Sequence, residues 1–276
     1  MRRHLPLALA PLALVLVWTS EAAPARQPAS ATTQAMQPGA ITIDAEQGIE
    51  WRRSARTVTA RGNATAVRGD TTVRADVLTA RYREGADGAI EVWQIDGSGA
   101  LRVTSPRQTA LGEKGTYDVA GRKMSISGGK QVSLTTPTSR ITADQSIDYD
   151  IAGRTLIARG NAVVVAGERT LSGDVITIRF AEGADGQLQP QRIDANGRMR
   201  MVTPSETVTA DSGTYDVAAQ MATASGSVLV VQGASRLNGC RGEMDLRTGV
   251  SRMFACPGED GGRVQGVIMP NALKRN

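Results

Sequence analysis

The chain has 276 residues and a formal net charge of +5, and only 3% of its residues are aromatic. The mild charge excludes a strongly basic nucleic-acid binder, and the scarcity of aromatic side chains excludes a stacking platform for single strands. The one histidine, His4, lies in the predicted leader, so the mature chain lacks the commonest general base and metal ligand. We therefore predict no catalytic residue, no metal site and no cofactor.

The first 25 residues have the order of a secretory signal peptide. Two arginines precede an apolar run over residues 5–18, and small residues follow. The run is shorter than the ~20 residues that span a bilayer. We predict a signal peptide over 1–25, cleaved after Ala25 or Ala22, with a retained membrane anchor as the alternative. Residues 26–40, rich in Pro, Ala, Thr and Gln, are predicted to be a disordered linker.

An internal duplication dominates the remainder of the chain. GTYDVAG at 115–121 returns as GTYDVAA at 213–219, which is 98 residues later. The segments at 60–64, 84–88 and 95–106 return with the same offset. Four matches in one register indicate a duplicated structure.

Each half divides into units of roughly 32 residues. Valine, isoleucine and threonine fill the segments between turn pairs, which predicts short β-strands in a sandwich, jelly roll, barrel or solenoid. We expect the aromatic residues to pack at strand ends or turns, and the acidic residues before them to form turns by accepting local backbone N–H bonds. Each unit has a glycine before an alternating strand (Gly62, Gly99, Gly128, Gly160, Gly197, Gly226), an aromatic (Trp51, Tyr82, Tyr117, Tyr149, Phe180, Tyr215) and an acidic residue (Glu46, Asp76, Glu113, Asp144, Asp174, Asp211).

The recurring A-D-x-x-x-Y-D … A-x-G-N-A-x-V pattern resembles the OstA-like repeat of the LptA family. It reads ITADQSIDYDIAGRTLIARGNAVVV at 141–165, and GTYDVAAQMATASGSVLVVQG at 213–233 is a second copy. RVQGVIMP at 263–270 is similar to that family's closing strand and proline. The likeness covers residues 41–270, which we take as one OstA-like domain followed by a C-terminal tail at 271–276.

The resemblance implies an all-β fold, a twisted open-ended β-jelly roll of about six to seven repeats with an apolar interior. It further implies a periplasmic protein that binds lipopolysaccharide and carries it from the inner-membrane export complex to the outer-membrane assembly protein. The implied partners are LptC-like and LptD-like proteins and further copies of the chain, head to tail, bound through exposed strand edges near 41–51 and 263–270; no nucleic acid is implied. The alternatives are an LptC-like membrane-anchored component and a ligand-free structural β-repeat protein of the envelope.

Candidate lipid-contact residues lie two and four positions past each repeat glycine. Alternate residues of a strand face the same side, and all of these positions except Lys130 are apolar. We expect this stripe to line a continuous groove for acyl chains, an ordinary packed core being the alternative. Val164 and Met201 would then face the groove, and Val163 and Arg200 would face away. The candidates are Ala64, Ala66, Leu101, Val103, Val132, Ala162, Val164, Met199, Met201, Val228 and Val230.

The C-terminal region departs from the family pattern in two ways. Cys240 and Cys256 are equidistant from Thr248, and Thr248-Gly249 is a hairpin-turn sequence, so we predict a disulfide between opposed strand residues. Two reduced buried thiols are the alternative. The last repeat is weak, because Arg247 stands near the position expected of an aromatic.

Arginine is concentrated early in the mature chain. Residues 52–83 contain eight arginines against two aspartates. Such a basic strip either contacts the phosphates and carboxylates of a lipopolysaccharide head group or forms a solvated outer face.

Overall fold

The computed structural model describes residues 41–85, 88–183, 186–256 and 263–269. The predicted signal peptide, linker and tail, and the closing proline, lie outside these residues. The described chain consists of antiparallel strands and their connections, and it contains no helix long and apolar enough to cross a membrane. The strands are β1 (Thr42–Asp44), β2 (Gly48–Arg52), β3 (Thr57–Arg68), β4 (Thr71–Glu84), β5 (Ile90–Ser105), β6 (Gln108–Asp118), β7 (Lys123–Ser127), β8 (Val132–Thr135), β9 (Ser139–Ala143), β10 (Ser146–Asp150), β11 (Thr155–Ala166), β12 (Arg169–Glu182), β13 (Leu188–Val202), β14 (Thr207–Asp216), β15 (Met221–Gln232), β16 (Ser235–Asp245), β17 (Val250–Phe254) and β18 (Gln265–Val267).

Long strands bend at a β-bulge and take part in two half-sheets. β3 pairs with β2 through residues 57–61 and with β1 through residues 65–67, on either side of a register shift between Arg61 and Ala64. The partners of β6, β11 and β16 divide in the same way. The first half-sheet therefore runs from β2 to β17 and the second from β1 to β18. This architecture confirms the predicted all-β, open-ended jelly roll.

The two half-sheets pack face to face. Gly115 belongs to the first half-sheet, and a Cβ built there would lie 2.4 Å from Leu101 Cδ2 of the second. Gly213 has the same relation to Met199 Cε, at 2.4 Å. The apolar side chains between the half-sheets form one core cluster that extends along the described chain.

Each bulge is formed by two consecutive residues in the left-handed backbone conformation. Gly197 has φ +74° and the next residue, Arg198, has φ +49°. Such a pair inserts unpaired residues into the strand and bends it, at a conformational cost that glycine lowers. The repeat glycines therefore lie within bent strands, not ahead of new ones, with Gly128 in the β7–β8 connection as the exception. The bulge pairs are Gly62–Asn63, Gly99–Ala100, Gly160–Asn161, Gly197–Arg198 and Gly226–Ser227.

Four of the six acidic residues before the aromatics lie inside strands and pack against a repeat glycine, so the prediction that they form local turns is wrong for these four. A Cβ at Gly197 would lie 2.2 Å from Asp174 Oδ2, so the carboxylate fills the space that the glycine leaves. Arg198 Nε donates to the same carboxylate at 2.9 Å. The strand acids that pack against a repeat glycine in this way are Asp76, Glu113, Asp174 and Asp211. The two others, Glu46 and Asp144, accept side-chain hydrogen bonds from Asn63 and Asn161 of the bulges.

Turns are instead closed by the aspartate that follows an aromatic. Asp118 follows Tyr117 and accepts the backbone N–H of Gly121 at 2.8 Å. Asp150 and Asp216 do the same after Tyr149 and Tyr215. A carboxylate accepts a backbone N–H from its own turn only at the strand end, because the chain reverses there within three residues.

Contacts repeat with the 98-residue offset, which confirms the duplication. Trp51 and Tyr82 meet edge to face with ring centroids 6.2 Å apart, and Tyr149 and Phe180 repeat the contact at 6.1 Å. Trp51 Nε1 also donates to the Tyr82 hydroxyl at 2.7 Å. These rings lie near strand ends, where they were expected.

Candidate functional site

The candidate lipid-contact residues all belong to the core cluster between the half-sheets. The candidates fall into two groups: six are buried, with exposures of 0–6%, and the other five are partly buried. The buried residues are Ala64, Leu101, Val132, Ala162, Met199 and Val228, and the partly buried ones are Ala66, Val103, Val164, Met201 and Val230. The outward neighbour Arg200 is exposed, and Val163 is half-buried.

In the third repeat unit, the inward-facing residues lie two positions later than the count from Gly128 predicts. β7 ends at Ser127 and β8 begins at Val132, so residues 128–131 form a connection and Lys130 is exposed. Val132 and Leu134 take the inward positions, with exposures of 0% and 7%. The consecutive glycines at 128 and 129 were the signal in the sequence for this extra connection, and Leu134 is an inward residue that the count missed.

Two apolar cavities open between the half-sheets. The N-terminal cavity measures about 360 Å³ and is lined by side chains from β3 to β8 and from β10. The C-terminal cavity measures about 380 Å³ and is lined by side chains from β12 to β18. Both volumes fall within the range of small-molecule sites, about 300–1,000 Å³. The predicted stripe therefore contributes to the linings of both cavities.

Seven candidates line these cavities. Ala66, Leu101 and Val103 line the N-terminal cavity, and Met199, Met201, Val228 and Val230 line the C-terminal one. The other four, Ala64, Val132, Ala162 and Val164, pack in the core beside them.

Counting from the repeat glycines did not find the other apolar lining residues. Val73, Ile95 and Met124 line the N-terminal cavity, and Leu171 and Val208 line the C-terminal cavity. Ile95 and Met124 lie opposite the candidates in the first half-sheet. The others lie beside Val103 and Met201 in the second half-sheet. All five lie in strands whose alternate residues are apolar, so the period of two along every strand was the signal for them.

Polar residues stand at strand ends beside both cavities. Arg68 and Gln108 contribute to the lining of the N-terminal cavity, and Glu206 and Gln232 to that of the C-terminal cavity. The pKa of Tyr149, at one end of the N-terminal cavity, is raised by burial of its hydroxyl, against the opposing effect of nearby arginines. Each cavity thus combines an apolar interior with a polar margin, an arrangement that suits an amphiphile.

Three of the eight arginines of the basic strip, Arg52, Arg81 and Arg83, form ion pairs on the surface. Arg81 pairs with Asp96 at 2.7 Å, and Arg83 pairs with Glu91 at 2.7 Å. Arg68 is the arginine of the strip that contributes to a cavity lining. Among the described residues, no group of three or more His, Cys, Asp or Glu side chains is placed to hold a metal ion.

The model of the family described as LptA/(LptD N-terminal domain) LPS transport protein matches residues 42–152 and again residues 140–250. The chain belongs to this family. The two matches to the LPS transport family are 98 residues apart, which is the offset of the duplication. No curated protein matches the chain. Among solved structures, it is similar to LptH, the LptA homologous periplasmic component of the lipopolysaccharide transport device from Pseudomonas aeruginosa, with 17% identity, 48% of this chain and 95% of that chain covered, and a TM-score of 0.40.

Both ends of this LPS transport family member present strand edges. Within the described residues, β1 and β2 pair only with β3, and β17 and β18 pair only with β16. The edges expected near 41–51 and 263–270 are therefore strands, and β17 is an edge that the sequence did not reveal. Strand direction alternates at each antiparallel pairing, which leaves β2 and β17 running in opposite directions.

A disulfide joins Cys240 and Cys256, whose Cα atoms are 4.8 Å apart. The hairpin count predicted that the two cysteines lie directly opposite each other, but they do not. β16 pairs with β17 in a register that matches Arg241 with Phe254. Cys256 lies just beyond the end of β17. Cys240 lies between the part of β16 that pairs with β18 and the part that pairs with β17, so the bridge fastens the C-terminal edge where its two strands meet.

The weak last repeat also has a structural explanation. Arg247 lies in the turn after β16, where its N–H donates to Asp245, so it does not occupy the aromatic position. The pairing of Tyr215 with Ala222, and of Ala222 with Met244, places Met244 in that row. Met244 lines the C-terminal cavity.

Proposed function

We propose that this protein binds lipopolysaccharide in the periplasm and passes it from the inner-membrane export complex toward the outer-membrane assembly protein, without catalysing a reaction. The observation that carries the proposal is the pair of apolar cavities with polar margins, in a chain of the LPS transport family. Burying an acyl chain releases ~0.8 kcal/mol per methylene. Repeated sites of similar character hold such a chain without fixing it in a single deep pocket.

Partners are proposed to bind at the strand edges. An LptC-like protein upstream and an LptD-like protein downstream would each extend the sheet by main-chain pairing. Because β2 and β17 run in opposite directions, a second copy placed head to tail would continue the antiparallel alternation. Exposed edges otherwise favour aggregation, so a dedicated partner at each end explains why they remain open.

The periplasmic location is proposed from the predicted cleavable leader. N-terminal sequencing of the protein from a periplasmic extract is expected to begin after Ala22 or Ala25. A membrane-bound chain that retains its first residues would favour the LptC-like alternative.

Photo-crosslinking tests the proposed cargo. A photoreactive amino acid at Met201 is expected to capture lipopolysaccharide in cells, because this side chain lines the C-terminal cavity. The same amino acid at Arg200, the exposed neighbour, is the matched control and is expected to capture none. Equal capture from both positions, or none from Met201, would refute the interior as the lipid site.

Truncation tests the edges. Removing residues 263–276 deletes β18 and is expected to weaken binding of the downstream partner while leaving the upstream partner at β1 and β2. Pull-down of each partner with the truncated chain measures this. Undiminished binding of both partners would show that β18 is not part of the downstream interface.

A further inference from the structure

The outer faces of the two half-sheets differ in charge. Among the described residues that pair within the second half-sheet, the one carboxylate is that of Asp44 in the edge strand β1. Five exposed arginines lie on the outer face of this half-sheet, each next in sequence to an inward apolar residue, as Arg102 is to Leu101. We call them the arginine track: Arg74, Arg102, Arg140, Arg200 and Arg236.

None of these five guanidinium groups has a carboxylate partner among the described residues. On the outer face of the first half-sheet, by contrast, five arginines are paired with carboxylates. The pairs are Arg81–Asp96, Arg159–Asp148, Arg179–Asp194, Arg192–Asp194 and Arg241–Glu243. Arginine is therefore neutralised at these positions of one outer face and keeps its full charge along the other.

The arginine track follows the direction in which the strands are stacked. β6 and β8 separate Arg102 of β5 from Arg140 of β9, and β11 and β12 separate Arg140 from Arg200 of β13. β14 and β15 separate Arg200 from Arg236 of β16. Each interval is three strand spacings of ~4.8 Å, so these charges stand ~14 Å apart over a length of ~43 Å. The arginines thus form a regular line of positive charge.

At one end of the track, Arg74 and Arg102 are directly opposed in the pairing of β4 with β5. Like charges at such positions destabilise a sheet. In the second copy Ser172 takes the position of Arg74, so the duplicated fold does not require an arginine there. Thr72 and Thr104 form the neighbouring row of the same two strands. Two unpaired guanidinium groups beside a row of hydroxyl groups offer donors to an anion that carries hydroxyl groups of its own.

The shape and composition of this outer face indicate a flexible polymer as its ligand. Neighbouring strands are rotated by ~20–25°, so arginines three strands apart do not face one plane, as binding to a flat membrane would require. Among the described residues that pair within this half-sheet none is aromatic, whereas aromatic residues are common anchors of protein interfaces. An acidic polysaccharide can follow the rotation, and it presents carboxylates to the arginines and hydroxyl groups to the threonines.

We propose that the arginine track binds an acidic glycan of the cell envelope, a polysaccharide that carries carboxylates along its length. The contact lies outside the apolar interior and is independent of the proposed lipid cargo. A single exposed ion pair is weak, so the affinity arises from several pairs formed at once and falls as salt screens them. Bound in this way, the glycan holds the chain from the side and leaves the strand edges at both ends free.

Charge-matched variants separate the effect of the track from that of the net charge. The track variant replaces four of its arginines by glutamine: Arg74→Gln, Arg102→Gln, Arg140→Gln and Arg200→Gln. Arg236 is kept, because it also contributes to the lining of the C-terminal cavity. The control variant removes the same charge from paired arginines of the first half-sheet: Arg81→Gln, Arg159→Gln, Arg179→Gln and Arg192→Gln.

The experiment uses the full mature chain and fluorescently labelled oligogalacturonate, a carboxylated glycan, with neutral dextran as the uncharged comparison. Fluorescence anisotropy at ~0.15 M salt is expected to show that wild type binds oligogalacturonate and not dextran. The track variant should bind at least about tenfold more weakly, which corresponds to ~1.4 kcal/mol of lost binding free energy. The control variant should change less than about twofold, since its charges lie on the opposite face, beyond the ~8 Å screening length. Pull-down with purified cell-wall sacculi should rank the three proteins in the same order.

Equal weakening of the two variants would show that net charge alone matters and would overturn the track as a site. Absence of binding of either glycan by wild type would overturn it as well. Binding to phosphatidylglycerol vesicles but not to sacculi, lost in the track variant, would assign this face to a membrane and refute the glycan. Should a variant lose its β-sheet circular dichroism, Arg74→Gln with Arg102→Gln and Arg179→Gln with Arg192→Gln replace the fourfold changes. Lipopolysaccharide capture at Met201 is measured separately, so its absence refutes the proposed function and leaves the glycan site standing.

Discussion

Gly197 offers a sharp test of how the bulges bend the strands. Its φ of +74° is a conformation that costs a non-glycine residue ~1–2 kcal/mol. A Cβ at this position would also lie 2.2 Å from Asp174 Oδ2 and 2.7 Å from Asp174 Cγ. Gly167, in the β11–β12 turn, has φ +57° and nothing within 4 Å of a built Cβ. The two glycines therefore share the conformational cost and differ in the steric contact.

We expect Gly197→Ala to lower the free energy of unfolding by ~2–5 kcal/mol, which combines the backbone cost with the ~1–3 kcal/mol of an overpacked contact. Gly167→Ala should cost only ~1–2 kcal/mol. Asp174→Gly removes the whole side chain, including the Cβ that would lie 2.8 Å from the new Cβ, and the exposed ion pair with Arg198 that it also removes contributes ~0–1 kcal/mol. In that background Gly197→Ala should cost no more than Gly167→Ala.

Urea unfolding followed by far-UV circular dichroism, with the disulfide intact, measures all four variants. The coupling between positions 174 and 197 in the double-mutant cycle should be ~1–3 kcal/mol. If Gly197→Ala and Gly167→Ala cost the same and the coupling is zero, the carboxylate does not pack against the bulge in solution, and the account given for the strand acids is wrong.

Three further outcomes follow from the structure. Replacing Cys240 and Cys256 by serine should cost up to ~3 kcal/mol, as expected for a loop of this length, and should raise hydrogen exchange in β17 and β18 selectively; uniform exchange would show that the bridge does not fasten that edge. Ile176→Ala, at a position with 0% exposure, should cost ~2–5 kcal/mol in urea unfolding, and a loss below ~1 kcal/mol would contradict the burial of this side chain in the core. The pKa of Asp245 is lowered because its carboxylate accepts the backbone N–H of Thr248, so its stabilising effect is present above the ordinary value of 3.8 and is lost as the pH falls through the lower folded value. Asp245→Asn should therefore be less stable than wild type near neutral pH and approach it in acid; a difference independent of pH would exclude this linkage.

Local patterns were enough to predict the fold class and the inward stripe. Alternation of apolar residues assigns a side of a strand without knowledge of its neighbours, since the side-chain period is two wherever the strand lies. The 98-residue duplication further required that both halves adopt the same structure. On this basis the sequence alone predicts that Met199, Met201, Val228 and Val230 face the interior, and all four belong to the core cluster.

Pairing across the sequence decided the rest. The sequence pattern predicts that a glycine such as Gly197 begins a strand. The neighbouring residues do not reveal that the strand instead continues through a left-handed pair and passes from one half-sheet to the other. The sequence pattern likewise predicts that Asp174 forms a turn. Its contact with the bulge could not be predicted, because the contact depends on the pairing of β12 with β13. The packing of the interior depends on residues of both half-sheets at one place, such as Met199 of the second against Gly213 of the first. Alternation along a strand shows which of its residues face inward, but folding brings together the residues that fill each other's space, as Leu101 of the second half-sheet does at Gly115 of the first.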